Sequence, residues 1–210
     1  MKVSLVPHPL QEAAGDALIV GLPVDEKRLP EPLARLDQAL GGQMSEVLAA
    51  ERFEGKTNQL AHFYTAGRFL ATRIIVVGLG PLDQMTVETI RRAAAAGVRR
   101  ARDLGARTVA IDILGKNLPL RQRASAVVSG AILGTYVFER YKKEKCDKYV
   151  QELGVVEPDA RRAMEVREAI RTGQLLGEAT AFARDLVNAP ANEVTPSCLA
   201  KVAEQIAREG

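Results

Sequence analysis

Short runs of β-branched and other apolar residues alternate with longer helical patterns along this chain. The runs predict strands, and the two at 17–22 and 74–79 are nearly all apolar, without the alternation of a strand that has one wet face. Strands of that kind are typical of a sheet covered by helices on both faces. The predicted strands are Val3–Val6, Ala17–Leu22, Ile74–Gly80 and Thr108–Leu114, with weaker candidates at Leu60–Ala66 and Tyr149–Val156.

Between the strands, apolar residues recur every three to four positions, which predicts amphipathic helices. The clearest stretch, 85–104, has its arginines largely off the apolar stripe and is followed by Gly105, which is well placed for a helix C-cap. The segment from Ile74 to Leu114 therefore reads as a strand, helix, strand crossover between parallel strands. Two more helices are predicted, one over residues 30–41 and one from about Leu120 to Tyr141.

From Pro158 a helical pattern runs without a break to Val187, which is longer than the average helix of about 11–12 residues. Asn188 is suited to end this helix as a left-handed cap, and Pro190 cannot continue it. The predicted apolar stripe of this helix is Ala163, Val166, Ile170, Gly173, Leu176, Thr180, Ala183 and Val187.

A last helix restarts after the turn, with Thr195 as N-cap and Pro196 as its first residue. Its apolar stripe, Leu199, Val202 and Ile206, belongs to a helix that is marginal alone and needs a surface to pack against. We therefore expect an α/β domain over residues 1–157. Residues 158–210 are expected to form a linker helix, a turn and the start of a further domain.

The composition, 47% hydrophobic and 26% charged, is that of a globular protein rather than a disordered chain. The net charge of +3 comes without any Lys/Arg block of five or more, so the usual nucleic-acid signature is missing. We expect no membrane partner, because no signal peptide and no run of about 18 apolar residues is present. The two cysteines, Cys146 and Cys198, do not indicate a disulfide framework, which favours a cytoplasmic location.

Residues that could carry chemistry are scarce. His8 and His62 are isolated from each other and from paired carboxylates, so no metal site is predicted in this chain. His62, in an apolar run, is interpreted as a hydrogen-bonded strand residue. Cys146 has lysines around it but no histidine nearby in sequence, so it is interpreted as an exposed surface thiol rather than a nucleophile.

Gly78-Leu79-Gly80 follows a strand and precedes a helix, a place where backbone amides can bind phosphate. The third glycine of the dinucleotide fingerprint is missing, which favours a strand-to-helix turn over a nucleotide site. Asp83 in that loop and Asp112 at a strand end, near a possible switch point, are single acids with no assigned role. The arginine-rich face of the 85–104 helix is interpreted as solvated surface, with a subunit contact as an alternative. We therefore predict no catalytic, cofactor-binding or metal-binding residue in the chain.

Three segments, in the same order, resemble the leucyl aminopeptidase (cytosol aminopeptidase) family. Arg73–Ile111 is similar to the family's strand, GLG turn, helix and strand, and Ser129–Lys145 to its small-residue helix ending in an aromatic-x-x-Tyr-Lys pattern. Ala183–Glu204 is similar to the family's linker into the catalytic domain. The resemblance implies an α/β fold with a mixed, mostly parallel sheet flanked by helices, macro-domain-like, followed by a long C-terminal linker helix.

In this family the catalytic half follows that linker. There a lysine and several carboxylates hold two divalent metals, usually zinc, manganese or magnesium, which can polarise the scissile carbonyl and acidify a bridging water. None of those ligand positions matches a residue here, so the metals are expected beyond Gly210. The resemblance implies a non-catalytic scaffold domain, inactive alone, within a metalloprotease that hydrolyses N-terminal amino acids from peptides.

The implied partners are the chain's own catalytic domain and the other subunits of a homo-hexamer, with peptides as substrates of the parent enzyme. Two alternatives stay open. One is a stand-alone macro-like module that binds ADP-ribose or a related nucleotide through the loops after its strands. The other is a DNA-binding domain that uses the arginine face, with an affinity that falls steeply as salt is added.

Overall fold

The computed structural model describes residues 1–24, 29–144 and 146–209. The strands in these ranges are β1 (Lys2–Val6), β2 (Ala17–Leu22), β3 (Leu60–Tyr64), β4 (Arg73–Gly78), β5 (Thr108–Asp112) and β6 (Glu152–Val156). They form one sheet with the order β1-β6-β5-β2-β4-β3. All neighbouring strands pair in parallel except β3, which runs antiparallel to β4. The mixed, mostly parallel sheet expected from the sequence is confirmed, including both weaker strands.

Helices cover both faces of the sheet, as the apolar strands require. Successive side chains of a strand point to opposite faces, so Ile19 packs in the core on one face while Leu18 packs in the core on the other. The helices are α1 (Leu33–Ala39), α2 (Gln43–Ala50), α3 (Val87–Asp103), α4 (Leu120–Thr135), α5 (Ala163–Asn188) and α6 (Pro196–Glu209). The first core contains α3, α4 and the start of α5, and the second contains α1 and α2.

Asp16 fastens the amino end of β2 to β5. Its Oδ2 accepts hydrogen bonds from the backbone N–H groups of Arg107 and Thr108, both at 2.8 Å, and from the Thr108 hydroxyl at 3.0 Å. Burial alone would raise the pKa of this carboxyl, but the bonds to Thr108 and Arg107 outweigh it and lower the pKa. The charged form of Asp16 therefore stabilises the register of the central strands.

Glycines let α3 and α4 approach closely. A Cβ added at Gly134 of α4 would lie 2.6 Å from Cα of Ala95, and one at Gly130 would collide with the carbonyl oxygen of Arg91. Both neighbours are backbone atoms of α3, so the contact cannot be relieved by moving a flexible side chain.

Two predicted helix limits and one predicted helix cap are wrong. α4 ends at Thr135 rather than near Tyr141, because Tyr136 is extended (ψ 128°) and its side chain bonds to α5 instead. Before α5, Ala160–Arg162 form a 3-10 turn, so the α-helix itself begins at Ala163. Asn188 is the last helical residue, and it is not among the residues with positive φ, so it is not a left-handed cap.

The predicted apolar stripe of α5 is correct only in its first half. Val166, Ile170 and Gly173 are buried as expected, but Leu176, Thr180, Ala183 and Val187 are exposed. The buried face continues through Gly177, where an added Cβ would meet Ile132 of α4 at 3.0 Å. α5 therefore packs on the domain through its glycines, and its second half presents apolar side chains to the outside.

The restart after the turn is confirmed. Pro196 is the first residue of α6, and the Thr195 hydroxyl accepts a hydrogen bond from the N–H of Cys198 at 3.3 Å, as an N-cap does. Lys145, the last residue of the segment Ser129–Lys145, and Gly210, the last residue of the segment 158–210, lie outside the described residues. In the part of the chain that is described, no helix is long and apolar enough to cross a membrane.

Candidate functional site

A cavity of about 310 Å³ opens at the carboxyl ends of β2, β4 and β5. β2 and β5 are neighbours, yet the chain leaves β2 towards α1 on one face of the sheet and leaves β5 towards α4 on the other. Open α/β sheets bind ligands at such topological switch points. Apolar side chains that line the cavity include Leu33, Leu79, Leu82, Met85, Ile113 and Leu114.

Three polar residues also line this cavity, and all three lie at the carboxyl end of β5 or in the loop just after it. Asp112, the last residue of β5, is partly buried, and Lys116 and Asn117 are exposed at the rim. Burial raises the pKa of Asp112, with Lys116 opposing the shift. The Lys116 ammonium donates to the carbonyl oxygen of Glu31, and Asn117 Nδ2 donates to that of Leu82 at 2.8 Å. Asp112 thus stands at a strand end by a switch point, as the sequence indicated.

Arg123 holds the loop after β5 against α4. It is 91% buried, and its Nη1 donates to the carbonyl oxygen of Ile113 at 3.0 Å, while its Nε has no hydrogen-bond partner in the described part of the protein. Sequence reasoning missed both Arg123 and Lys116. The available signal was an arginine in the first turn of a helix, next to Ala124 on its apolar side.

The Gly78-Leu79-Gly80 loop is a packed turn. The N–H groups of Gly78, Leu79 and Gly80 donate to the carbonyl oxygens of Gln59, Leu22 and Gly55 at 2.8, 3.0 and 2.9 Å. A Cβ at Gly78 would lie 2.7 Å from the carbonyl carbon of Gly55. The two glycines are accounted for by the close approach of the loop before β3, and their amides are already bonded. Asp83 lies exposed in the short 3-10 turn that follows.

His62 lies on β3, with Nδ1 3.4 Å from Nη2 of Arg100. Burial and the neighbouring Arg100 lower the pKa of this histidine, so the neutral ring is favoured. This agrees with its interpretation as a hydrogen-bonded strand residue. His8 lies exposed before the first 3-10 turn, close to Glu12.

Cys146 is half-buried, so it is less exposed than its interpretation as a surface thiol implied. Its N–H donates to Glu139 Oε1 at 2.7 Å, and the other oxygen of that carboxylate accepts from the Tyr149 hydroxyl at 2.7 Å. The bond to Glu139 raises the pKa of Tyr149 to about 12. Cys198 is also half-buried. Among the described residues, no group of three or more His, Cys, Asp or Glu could hold a metal ion.

The arginine face of α3 contributes to a polar cleft of about 490 Å³ between α3, the end of α4 and α5. Glu88 accepts from Arg92 Nε at 3.0 Å and also bonds Arg91, and Arg102 pairs with Asp103 at 3.0 Å. The cleft therefore keeps an excess of positive charge. Its guanidinium groups belong to Arg91, Arg92, Arg99, Arg102 and Arg184.

The segment after α4 is bonded to the turn beyond α5. The Tyr141 hydroxyl donates to Glu193 Oε2 at 2.6 Å, and Arg140 Nη2 lies 3.3 Å from the same oxygen. Arg184 stacks over the ring of Tyr136 at 5.6 Å. These contacts fix the second half of α5 and the following turn relative to the α/β core.

Beyond these contacts, α5 and α6 carry large apolar side chains that are open to solvent. Leu175 is 69% exposed and Val187 is 83% exposed. We call this set the distal apolar face, and its members are Leu175, Leu176, Phe182, Val187, Leu199 and Ile206. Large apolar side chains that stay exposed on two successive helices indicate a surface that another protein surface can cover.

The sequence profile of the N-terminal domain of the cytosol aminopeptidase family matches residues 19–145. The chain belongs to the cytosol aminopeptidase family. The probable cytosol aminopeptidase of Alkaliphilus metalliredigens is 32% identical over 214 residues, an alignment that covers 100% of this chain and 43% of that protein. The chain spans about two-fifths of the length of the curated relatives that it matches.

Solved structures agree with the family and the fold. A mutant of tomato leucine aminopeptidase superposes with a TM-score of 0.85 at 25% identity, over 100% of this chain and 42% of that one. The bottromycin maturation enzyme BotP, in complex with Mn, superposes with a TM-score of 0.69 at 29% identity, over 93% and 37%. The α/β fold with its long C-terminal helix, expected from the sequence, is therefore confirmed.

Proposed function

We propose that this chain is the non-catalytic N-terminal domain of a two-metal leucyl aminopeptidase, an enzyme that removes N-terminal amino acids from peptides. The observation that carries the proposal is the match to the N-terminal domain of the family, together with the share of each relative that the chain covers. The two metals, manganese or zinc, would be held by residues outside this chain. Bound there, they supply Lewis-acid polarisation of the scissile carbonyl and an acidified water.

The distal apolar face supports a scaffold role. Burying a large aliphatic side chain is worth about 1.5–3 kcal/mol, so a face of this kind favours a covering partner, and the partner we propose is the catalytic domain of the same polypeptide. The bonds of Tyr141 and Arg140 to Glu193 hold the linker in one direction for that contact. We retain the division into residues 1–157 and 158–210, with the first turns of α5 packed in the core of the α/β domain.

The polar cleft between α3, the end of α4 and α5 suits a contact with another subunit of a homo-oligomer, for which we propose a hexamer. The excess positive charge of the cleft can pair with acidic side chains of a neighbouring subunit. A cytoplasmic location is proposed on the names of the relatives, which are cytosol aminopeptidases.

The experiment that tests this function is hydrolysis of leucine p-nitroanilide by the product of the complete reading frame, loaded with manganese or zinc. We expect release of p-nitroaniline that is lost on treatment with a chelator and restored by metal. A product that neither binds metal nor hydrolyses the substrate would contradict the proposed function.

A further inference from the structure

We propose that the cavity at the carboxyl ends of β2, β4 and β5 binds a free amino acid with an apolar side chain. Asp112 takes the ammonium group, Lys116 takes the carboxylate, and the apolar walls take the side chain.

The size and walls of the cavity fit such a ligand. Its volume of about 310 Å³ is at the lower end of the range of small-molecule pockets, which is roughly 300–1,000 Å³. The side chains of Leu33, Leu79 and Met85 are buried and form an apolar wall. An aliphatic side chain that enters this space leaves water for an apolar environment, which is the dominant favourable contribution to binding of this kind.

The polar groups at the rim select the head group. Asp112 is partly buried, and Lys116, four residues on, is the positive charge that acts most strongly on it. Within the described ranges the two side chains do not form an ion pair with each other. A carboxylate can accept about four hydrogen bonds and an ammonium donates three. Asp112 accepts one hydrogen bond from the backbone N–H of Ile113, and Lys116 donates one to the carbonyl oxygen of Glu31. Both groups therefore keep capacity for a ligand.

Other classes of ligand fit this rim less well. A wholly apolar molecule would remove water from the Asp112 carboxylate without replacing its hydrogen bonds, which is costly for a charged group. A simple anion would be repelled by the Asp112 carboxylate, and a simple cation would be repelled by the Lys116 ammonium group. A zwitterion places each of its charges beside the opposite one, and its apolar side chain fills the interior.

The biological meaning of the site rests on the proposed function. Apolar amino acids are the products of a leucyl aminopeptidase, so this cavity would let the N-terminal domain sense product. The binding itself requires no hydrolysis and can be measured on this chain alone.

The test is a titration of the isotope-labelled chain followed by amide chemical shifts. With L-leucine as the probe, we expect saturable shifts centred on residues 112–117 and on the Leu79–Met85 wall. Three analogues each lack one feature: 4-methylpentanoate has no ammonium, 3-methylbutylamine has no carboxylate, and glycine has no side chain. Each is expected to bind at least roughly tenfold more weakly than leucine.

Two variants and one control test the residues. Asp112→Asn and Lys116→Met are each expected to weaken leucine binding at least roughly tenfold. Asp147→Asn makes the same charge change at an exposed residue that does not line the cavity and lies outside both of its walls, and it is expected to bind leucine as the unaltered chain does. If Asp112→Asn does not fold, judged by its amide spectrum, Lys116→Met still decides the question.

The proposal is overturned if leucine produces no saturable shift, if 3-methylbutylamine or 4-methylpentanoate binds as tightly as leucine, if Lys116→Met binds leucine as tightly as the unaltered chain, or if Asp147→Asn weakens binding as much as the cavity variants do. None of these results would contradict the proposed function, because the product of the complete reading frame can hydrolyse peptides whether or not this cavity binds leucine.

Discussion

The phenol oxygen of Tyr136 lies 2.8 Å from a carboxylate oxygen of Asp185, which ties the segment after α4 to the second half of α5. The same oxygen accepts a hydrogen bond from Asn188 Nδ2 at 3.1 Å. Beyond Gly177 the described part of α5 is exposed or only partly buried, so these hydrogen bonds and the stacked Arg184 are its main attachments. The direction of the linker therefore depends on a few polar contacts rather than on a packed core.

Tyr136→Phe is expected to loosen the end of α5 without unfolding the domain. The substitution removes both hydrogen bonds but keeps the ring, so the free energy of unfolding should change by about 1 kcal/mol or less. Local opening should show as faster hydrogen exchange of the amides in residues 184–188, while the amides of β2 and β4 keep their protection. Tyr64→Phe, at a mostly exposed tyrosine of β3, is the matched control, and equal effects from both variants would contradict this role.

Asp16→Asn is expected to lower the free energy of unfolding at pH 7 by about 1–3 kcal/mol, because a charged acceptor of three hydrogen bonds is replaced by a neutral one. The folded-state pKa of Asp16 lies below 3.8, the ordinary value of an aspartate side chain. Its stabilisation is therefore present above about pH 3.8 and is lost as the pH falls through the folded-state pKa. Urea unfolding at pH 7 and pH 3 should show the difference between variant and unaltered chain shrinking in acid.

His62→Gln is expected to flatten the pH dependence of stability. The folded-state pKa of His62 lies below 6.5, because of burial and of Arg100, so the unfolded chain takes up the proton first as the pH falls. Stability is therefore present above pH 6.5 and is lost as the pH falls through the folded-state pKa. Unfolding free energies measured at pH 7 and pH 5 should differ less in His62→Gln than in the unaltered chain. An equal or larger difference in His62→Gln would count against this assignment.

Gly130→Ala is expected to destabilise the domain by roughly 1–3 kcal/mol, because its new Cβ meets the backbone carbonyl of Arg91. In an uncrowded helix the same substitution stabilises by about 0.5–1 kcal/mol. Whether Gly130→Ala lowers or raises the free energy of unfolding therefore shows whether α4 lies against the backbone of Arg91. A thermal midpoint that rises on substitution would show that α3 and α4 are not in close contact at this position.

Much of the sheet could be predicted because its signals are local. The apolar runs of β2 and β4 and the boundary residues around α3 carry their own strand and helix signals. The end of α4 could not be predicted, since the partner that holds Tyr136 extended lies 49 residues away in the chain. The predicted buried stripe of α5 included Leu176, but the residue that is buried is Gly177. A periodicity argument selects large apolar residues, whereas the contact between α5 and α4 uses glycines, which let the two helices approach closely.

The candidate site, too, could be predicted only in part from the sequence. The position of Asp112 at a strand end near a switch point was predicted, because β5 was recognised. That Lys116 and the walls from three separate strands meet around one cavity depends on the strand order, which no local pattern in the chain reveals. The distal apolar face was foreseen for α6 by its isolated stripe but not for α5.

The central claim is that this chain supplies scaffold rather than catalysis. Its most direct test is release of leucine from leucine p-nitroanilide by the purified 210-residue chain with added manganese, beside the product of the complete reading frame at equal concentration. We expect the 210-residue chain to stay at the rate of buffer while the complete product turns over and is inhibited by a chelator. Chelator-sensitive release above buffer by the 210-residue chain alone would contradict the claim.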